Sequence, residues 1–433
     1  MFNRRGSSRS PYPKSNFRRP FRSGTRNRFG GAKKTARSVE EYIAQASQKI
    51  TLPPSQSEPV TTQTFDQLPL DKALLLTIQQ LGFTTLTPIQ QQCIPAVLEK
   101  KDVVGIAQTG TGKTAAFLIP LIQNCIQNPS YKALIVAPTR ELAMQIRDEF
   151  KRFAGSERVY PALCIGKSSM YNQISQLRRN PHVVIGTPGR LKDHIERRTL
   201  KLAQFQMVVL DEVDRMLDMG FIQDMKQILS SFPQSRQSLF FSATVSQNIQ
   251  NLIQSFSKNP VIISVKTQET TQQINQQMIK VKEGSTKVDT LHTMLLQGEY
   301  TKVLIFGRTK MGVEKLYREL FKRGHKVTSI HGDKPQYERQ QAIRQFKEHM
   351  VKILVATDVA ARGLDIPHVS HVVNFDIPDT YEDYIHRIGR TGRAQESGTA
   401  ITLIEESPAP QYRQSYQPRT QFHHNGPPRR QYS

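Results

Sequence analysis

The chain has 433 residues, a formal net charge of +24 at pH 7, and a hydrophobic fraction of 37%. Residues 1–39 hold twelve Arg or Lys and no acid, and residues 407–433 hold four Arg and no acid, so the two ends supply +16 of this charge. The imbalance favours a polyanion partner over an anionic membrane surface, because neither end shows an amphipathic helical pattern. No apolar run approaches the roughly 20 residues that span a bilayer.

The three cysteines, Cys93, Cys125 and Cys164, are scattered and form no CxxC pair. They are predicted to be core or surface thiols in a reducing compartment rather than a disulfide frame or a zinc site. The start of the chain is basic and Ser-rich, as organelle transit peptides are, but Pro11 and Pro13 would break the helix such peptides need. The expected location is therefore cytoplasmic.

Residues 1–37 are rich in Arg, Gly and Ser and are predicted to form a disordered basic tail, because they cannot bury enough surface to fold alone. The spacing Ser38-x-x-Glu41 resembles a helix capping box, and apolar residues follow it at helical spacing. Residues 38–62 are therefore predicted to hold a short helix and a Pro/Ser linker.

From Phe65 onward, short apolar runs alternate with longer amphipathic ones, which is typical of buried parallel strands joined by helices. The predicted strands of a first set are Val103–Ala107, Ala133–Ala137, Val183–Ile185, Met207–Leu210, Leu239–Phe241 and Val261–Val265. A second set begins near Ile279 and includes Val303–Phe306, Val327–Ile330, Ile353–Ala356, Val372–Phe375 and Ala400–Ile404. The pattern predicts two doubly wound α/β domains, 63–265 and 274–406, with a linker at 266–273 and a disordered basic tail at 407–433.

The stretch AQTGTGKT directly follows the first predicted strand and indicates a phosphate loop, although Ala stands where the first Gly is usual. Its glycines permit tight turns whose N–H groups can surround phosphates, its lysine can reach β/γ oxygens, and its last hydroxyl can ligate Mg²⁺. The predicted nucleotide-binding residues are Ala107, Gln108, Thr109, Gly110, Thr111, Gly112, Lys113 and Thr114.

A run of carboxylates follows the apolar strand Met207–Leu210 without a break. Buried carboxylates are costly unless a cation waits for them, and the phosphate loop supplies one as a metal–nucleotide complex. Asp211 is predicted to hold Mg²⁺ together with Thr114, and Glu212 is predicted to position and polarise the attacking water.

With these motifs the sequence resembles the DEAD-box ATP-dependent RNA helicases, a superfamily 2 family built on two RecA-like domains. The resemblance covers roughly Phe65 to Ile404. GFTTLTPIQ, ending at Gln90, is similar to the family's adenine-reading Q motif. The resemblance implies that Gln90 hydrogen-bonds adenine and that Phe65 stacks on it. It also implies tandem RecA-like domains with parallel sheets.

Further motifs stand in the family's order: PTRELA, TPGR, HGDKPQYER and ATDVAARGLD. The resemblance implies that they grip the sugar-phosphate backbone of RNA. The implied RNA-binding residues are Pro138, Thr139, Arg140, Gly166, Thr187, Pro188, Gly189, Arg190, Gly332, Gln336, Arg339, Thr357 and Asp358.

Two other motifs are implied to serve the nucleotide site. SAT, Ser242 to Thr244, is similar to the motif that couples nucleotide to RNA, and it is expected to act by hydrogen-bonding Asp214. HRIGRTGR is similar to the motif that delivers arginine fingers to the γ-phosphate when the domains close, here Arg390 and Arg393. The resemblance further implies that Asp365 meets the ribose.

Three positions depart from the family pattern: Val213 stands where the family name has Ala, Leu86 replaces a usual proline, and Lys167 replaces a usual glycine. Val213 and Leu86 change packing near the acids and in the Q motif, and neither removes a catalytic group. Lys167 either adds a phosphate contact or hinders close backbone approach.

The function implied is an RNA-stimulated ATPase that uses ATP and Mg²⁺, binds single strands or short duplexes of RNA without sequence preference, and locally unwinds RNA or remodels RNA–protein complexes. Two alternatives stay open on the residues alone. One is a DNA-directed helicase or translocase of superfamily 2, and the other is an RNA clamp with a vestigial ATPase. Which RNA, pathway or protein partner is involved is not encoded in these motifs.

Overall fold

A computed structural model of the chain describes residues 36–47, 63–108, 110–265, 274–297, 300–361, 366, 369–392 and 398–405. The predicted Pro/Ser linker within 38–62 and the predicted linker 266–273 lie outside these residues, as do the basic tails apart from residues 36 and 37. The proposed domain boundaries therefore stay predictions.

The first sheet consists of seven parallel strands in the order β3-β4-β2-β5-β6-β1-β7. The chain crosses from β1 over two strand positions to β2, and β5 and β6 later fill the positions between them, as in doubly wound folds. The strands are β1 Val103–Ile106, β2 Ala133–Val136, β3 Pro161–Cys164, β4 Val183–Gly186, β5 Met207–Leu210, β6 Gln237–Ser242 and β7 Val261–Ser264. This sheet and the helices packed on it are called the first lobe.

Helices cover both faces of this sheet because successive strand residues point to opposite sides. Val103 and Leu239 pack with α2–α5, whereas Val104 and Phe240 pack with α7–α10. The helices are α2 Lys72–Gln80, α3 Pro88–Leu98, α4 Lys113–Gln127, α5 Arg140–Ala154, α6 Met170–Arg178, α7 Pro188–Glu196, α8 Val213–Asp218, α9 Ile222–Ser230 and α10 Gln247–Phe256. Short 3₁₀ turns lie at Phe65–Gln67 and Leu202–Gln204.

The second sheet consists of six parallel strands in the order β10-β11-β9-β12-β13-β8. Its strands are β8 Ile274–Val281, β9 Val303–Phe306, β10 Val327–Ile330, β11 Ile353–Ala356, β12 His371–Asn374 and β13 Gly398–Glu405. Helices α11 Lys287–Leu296 and α12 Lys310–Lys322 pack on one face, and α13 Gln336–Lys347 and α14 Asp358–Ala361 on the other. Helix α15 Tyr381–Ile388 follows β12, and the whole is called the second lobe.

A further helix, α1 Ala36–Ser47, precedes the first lobe in the chain but packs on the second. Val39 is fully buried beside Ile377 of the second lobe. The ring of Tyr42 lies 5.9 Å from that of Tyr381, centroid to centroid. The predicted N-cap at Ser38 is wrong, because α1 begins two residues earlier and Ser38 lies inside it.

The fold class, two doubly wound parallel α/β domains in tandem, is confirmed, and most predicted strands are found within one or two residues. Two details differ. The second sheet begins at Ile274 rather than near Ile279, and β3 was not predicted. All three cysteines are buried and free. In the part of the chain that the structure describes, no helix is long and apolar enough to cross a membrane.

Candidate functional site

The predicted motifs meet at the carboxyl edges of the two sheets. The phosphate loop follows β1, PTRELA follows β2, TPGR follows β4, the acids follow β5 and SAT ends β6. In the second lobe, HGDKPQYER follows β10 and ATDVAARGLD spans the end of β11. Parallel strands place all their carboxyl ends on one side, and this is where such sheets bind ligands.

The phosphate loop turns tightly at two glycines that have left-handed backbones, Gly110 with φ of +88° and Gly112 with φ of +92°. The ammonium of Lys113 is buried and donates to the carbonyl oxygen of Ala107 at 2.6 Å. The hydroxyl of Thr111 donates to the carbonyl oxygen of Gln108 at 2.9 Å. The loop therefore holds its lysine against its own backbone at the start of α4. Thr114 is the second residue of α4, and Thr109 lies outside the described residues.

Gln90 links the Q motif to this loop. Its Oε1 accepts from the N–H of Thr87 at 3.0 Å, and its Nε2 donates to the carbonyl oxygen of Gly112 at 3.2 Å. The left-handed backbone of Gly112 favours glycine, and a Cβ there would lie 2.4 Å from that Nε2, so the Gln90 side chain would have to shift. Both amide groups of Gln90 are thus engaged within the protein.

Phe65 is 2% exposed and meets the ring of Phe83 edge-on, with 6.4 Å between centroids. Its ring faces are covered, so stacking on adenine requires the ring to be uncovered first. That role stays a prediction.

Three carboxylates are buried at the end of β5: Asp211, Glu212 and Asp214 are 3%, 6% and 8% exposed. Burial, reinforced by the charge of Glu212, raises the pKa of Asp211 to about 7, and Lys113 opposes the shift. Glu212 has a left-handed backbone, with φ of +53°, which is uncommon for a residue with a side chain. Val213 is fully buried in the apolar core, so this departure from the family pattern is accommodated by packing.

An ion pair that sequence reasoning missed holds Glu212. Arg215 is 2% exposed, and its Nη1 lies 2.7 Å from the Oε2 of Glu212. The two residues stand three apart at the start of α8, a spacing that places side chains on one face of a helix. That spacing is the signal by which the pair could have been found.

Asp214 reaches the SAT motif, as expected. Its Oδ2 accepts from the N–H groups of Ala243 at 2.8 Å and Thr244 at 3.0 Å. Burial acts to raise the pKa of Asp214, but Lys113, Arg215 and the N–H of Ala243 outweigh it and hold the pKa below its usual value. The hydroxyl of Ser242 donates instead to the carbonyl oxygen of Thr244, at 2.7 Å.

The predicted RNA-binding residues of the first lobe lie together at the ends of β2, β3 and β4. Thr139 caps α5 by accepting from the N–H of Leu142 at 3.2 Å. Arg190 donates from Nη1 to the carbonyl oxygen of Ser168 at 3.1 Å, which ties TPGR to the turn that contains Gly166. The remaining members of this group, at the same edge, are Pro138, Arg140, Thr187, Pro188 and Gly189.

Gln336 and Arg339 of the second lobe contact the first lobe through Glu141, an acid of PTRELA that was not singled out. Arg339 makes a two-point pair with Glu141, Nε to Oε1 at 2.9 Å and Nη2 to Oε2 at 2.8 Å, and both side chains are about 5% exposed or less. The Nε2 of Gln336 donates to the same Oε1 at 3.0 Å, and its Oε1 accepts from Arg140 at 3.0 Å. The structure therefore uses these side chains to join the lobes.

Lys167 also crosses between the lobes, where its ammonium donates to the carbonyl oxygen of Gly332. Neither of the two alternatives for this position anticipated that contact.

Two predicted residues of the second lobe are engaged within it. Asp358 makes a two-point pair with Arg387, at 2.6 Å and 2.7 Å, and Arg387 was not singled out from HRIGRTGR. Arg390 is 5% exposed and donates from Nε to the carbonyl oxygen of His386 at 3.3 Å. Thr357 is buried at the end of β11. Arg393 and Asp365 lie outside the described residues.

Two family models match the chain. The model described as DEAD/DEAH box helicase matches residues 87–252, and the one described as Helicase conserved C-terminal domain matches residues 286–395.

Among curated proteins, the DEAD-box ATP-dependent RNA helicase CshA of Geobacillus kaustophilus is 47% identical over 343 residues, which cover 79% of this chain and 73% of that protein. The protein of the same name from Bacillus subtilis is 46% identical over 345 residues, 79% of this chain and 70% of that protein.

Two solved structures are similar in fold. Dbp5 of S. cerevisiae bound to RNA and ADP BeF3 matches with a TM-score of 0.71 and 32% identity, over 79% of this chain and 90% of that one. Mss116p bound to ssRNA and AMP-PNP matches with a TM-score of 0.73 and 32% identity, over 82% of this chain and 76% of that one. The tandem sheets are therefore RecA-like, as expected.

Proposed function

This chain belongs to the DEAD-box family of ATP-dependent RNA helicases, and we propose that ATP held between its lobes controls a sequence-independent grip on RNA that locally separates short duplexes or remodels RNA–protein complexes. The observation that carries the proposal is the Asp214 carboxylate. It interacts with Lys113 of the phosphate loop and with Asp211. It is also hydrogen-bonded to the SAT backbone at 2.8 Å and 3.0 Å.

In the nucleotide site, Lys113 would leave the carbonyl oxygen of Ala107 and bind the β/γ-phosphates. Thr114 and Asp211 offer a hydroxyl and a buried carboxylate, oxygen ligands of the kind that Mg²⁺ prefers, and a bound Mg²⁺ would neutralise phosphate charge there. Gln90 would read adenine, with Phe65 stacked on it after uncovering. The loop residues from Ala107 to Gly112 would wrap the phosphates with backbone N–H groups.

Hydrolysis would depend on groups from both lobes. Glu212 would orient the attacking water while Arg215 fixes its carboxylate. Arg390 and Arg393 would meet the γ-phosphate from the second lobe, and fingers of this kind contribute on the order of 10³–10⁵ in rate. Asp365 would meet the ribose. Neither half is complete without the other.

RNA would be held along the carboxyl edges of both sheets through sugar and phosphate, including 2′-hydroxyls, and would therefore be bound without reference to sequence. Joining of the lobes through Glu141 and Arg339 would bring the two halves of this track together. Because ATP and RNA would both favour the joined state, each would raise the affinity for the other by the same factor. The basic tails would add affinity without specificity.

We further propose that the protein acts in the cytoplasm, since its free buried thiols and basic charge suit a reducing compartment that contains RNA.

The test is ATP hydrolysis by the full chain without nucleic acid, with single-stranded RNA, and with single-stranded DNA of the same sequence. The expected result is strong stimulation by RNA and little by DNA. Equal rates with and without saturating RNA would overturn the coupling. Equal stimulation by DNA would favour the DNA-directed alternative, and RNA binding without any hydrolysis would favour the clamp.

A further inference from the structure

A groove runs along the edge strand β3 of the first lobe, between α5 and α6. It has a volume of about 760 Å³ and is lined by Arg147, Lys151, Tyr160, Ser168, Arg179 and neighbouring residues. It is called the α5–α6 groove. None of the functional motifs lines this groove. One end of it lies at Ser168 and Ser169, just after Gly166.

The lining of this groove contains three cations and no carboxylate. Lys151 and Arg179 are exposed, and Arg147 is paired at 2.6 Å with Asp148, which is not part of the lining. Serine hydroxyls and the amides of Asn172 and Gln176 complete the polar surface. This donor set matches the phosphate and sugar contacts of nucleic-acid-binding proteins.

A second cavity, on the other side of α5, shows that this charge pattern is not general. That cavity, of about 540 Å³, lies between α5 and α13 and is lined by residues of both signs, among them Asp148, Glu149, Arg152, Arg344 and Glu348. Charges of opposite sign in one cavity neutralise one another, so this cavity does not attract a polyanion. The α5–α6 groove differs because its cations face no acid within the lining.

The groove also offers an aromatic face. Tyr160 is 60% exposed and stands just before β3, and a base can stack on such a ring whatever its identity. Phosphate contacts together with a stacking platform are the combination that binds single strands without sequence preference.

An extended peptide is disfavoured because the free backbone edge of β3 is already engaged by α6. The Oε1 of Gln176 accepts from the N–H of Leu163 at 3.3 Å, and the Nε2 of Gln173 donates to the carbonyl oxygen of Ile165 at 2.9 Å. A peptide could not add as a further strand without displacing these amides.

The groove is continuous with the proposed RNA track. Ser168 and Ser169 line one end of the groove and directly follow the turn that contains Gly166. The carbonyl oxygen of Ser168 accepts from Arg190 of TPGR at 3.1 Å. A strand that leaves Gly166 and Arg190 can therefore enter the groove directly.

We propose that the α5–α6 groove binds the single-stranded flank of an RNA whose central part lies on the track between the lobes. The inference rests on the proposed RNA-binding function and deepens it. The groove would hold RNA to the first lobe through Lys151, Arg179 and the ring of Tyr160, independently of contact with the second lobe. It would favour RNAs longer than the track itself.

The test compares affinities for a short single strand of about 8 nucleotides, within the roughly 4–16 nucleotides of known single-strand binding sites, and a long one of about 24 nucleotides, which extends beyond that range. The double variant Lys151→Glu/Arg179→Glu of the full chain should weaken binding of the long RNA roughly tenfold more than that of the short one. Its salt slope for long RNA should fall by about 1.4, or 0.7 per lost phosphate contact.

The matched control is Lys201→Glu/Lys258→Glu, which makes the same charge change at exposed positions near the amino ends of β5 and β7. It should keep the wild-type ratio of the two dissociation constants. Lys151→Arg/Arg179→Lys should also keep it, since both charges remain. Tyr160→Ala should lower the preference for long RNA severalfold, whereas Tyr160→Phe should retain it because the stacking face remains.

Three results would overturn the inference while leaving the proposed function intact: no preference of the wild type for long RNA, equal loss for short and long RNA in the groove variant, or equal loss in groove and control variants. Competition by poly-glutamate that is as strong as competition by RNA, and is lost in the groove variant, would overturn RNA in favour of acidic peptides. Failure of the proposed function is distinct, because the short RNA would then give neither binding nor stimulation of ATP hydrolysis.

Discussion

The two lobes share a fold but hold different sets of charged side chains at their carboxyl edges. The first lobe gathers the buried acids Asp211, Glu212 and Asp214 around Lys113 and Arg215. The second lobe holds a guanidinium, that of Arg387, against Asp358. Each lobe therefore pairs its own charges. In the proposed mechanism the acids that would hold metal and the arginines that would meet phosphate come from different lobes, so the reaction would depend on the joined state.

The Glu141–Arg339 pair stands apart from both arrangements because it joins the lobes. It has the two-point geometry of the Asp358–Arg387 pair, but its formation requires the lobes to meet. Substitutions in each group separate charges that act within one lobe from charges that act between the lobes.

Glu212→Gln should lower RNA-stimulated turnover by about 10²–10⁴-fold, the range that a lost proton acceptor or water-positioning group costs. ATP and RNA should stay bound together, because the amide keeps the shape of the side chain. Single-turnover hydrolysis and RNA retention would measure this. Glu99→Gln, an exposed change in the same lobe, is the control. Turnover at the wild-type rate in Glu212→Gln would show that Glu212 does not position the attacking water.

Glu141→Gln should weaken ATP-dependent RNA affinity roughly tenfold or more, because it leaves the buried charge of Arg339 unpaired only when the lobes are joined. Thermal unfolding of each lobe should change little. Fluorescence energy transfer between labels on the two lobes would measure joining directly.

Glu149→Gln, on the same helix, is the control for Glu141→Gln. Exchange of the charges in Glu141→Arg/Arg339→Glu should restore part of the affinity. No recovery, together with unchanged joining in the single variant, would mean that the pair does not link the lobes.

Asp211→Asn should stabilise the resting protein at pH 8 by about 1–3 kcal/mol. The folded pKa of about 7 lies above the ordinary value of 3.8, so the folded state binds the extra proton and stability falls as pH rises from about 4 to about 7. Asparagine cannot ionise and removes that loss. Urea unfolding at pH 5 and pH 8 measures the free energy of unfolding of both proteins. A variant that is less stable than the wild type at both pH values would contradict the destabilising burial of the Asp211 carboxylate.

Asp289→Asn in the second lobe should have the smallest effect, lowering the unfolding temperature by at most a few degrees. Hydrogen bonds from Thr286 and Arg323 lower the pKa of Asp289 to about 2. A depressed acid pKa contributes stability above about 3.8 that is lost as pH falls towards 2, so the difference between wild type and variant should shrink over that range. A difference independent of pH would assign the effect to the helix cap alone.

Most of the fold could be predicted because strands buried on both faces are apolar throughout, as in Ala133–Val136 and Met207–Leu210. Strand β3 could not, because it lies at the sheet edge, begins with Pro161 and is buried only at alternate residues. The start of α1 was misplaced because Ser38 and Glu41 match a capping pattern by local spacing alone. In the structure the helix begins at Ala36 and packs on the second lobe, which local spacing does not reveal.

In the site, motif order could place residues at the right edge, but it could not reveal which of them bind one another. Gln336 and Arg339 were assigned to RNA from the family resemblance, and that assignment stays a prediction. Their contact with Glu141 could not be predicted, because that residue is almost 200 residues away in the chain. The same holds for Asp358 and Arg387, 29 residues apart. Such pairs depend on how two sheets approach or how loops cross one sheet edge, and neither leaves a local periodicity.

The seating of α1 on the second lobe has a consequence for biosynthesis. A ribosome delivers α1 before any strand of either sheet, whereas Tyr381 and Ile404, against which its cluster packs, are delivered near the end. The side chains of Val39 and Tyr42 therefore lack their packing partners in the second lobe throughout translation of the first lobe. Docking of α1 is consequently a late event that requires a complete second lobe. The time at which residues 36–47 become resistant to protease would measure when docking occurs.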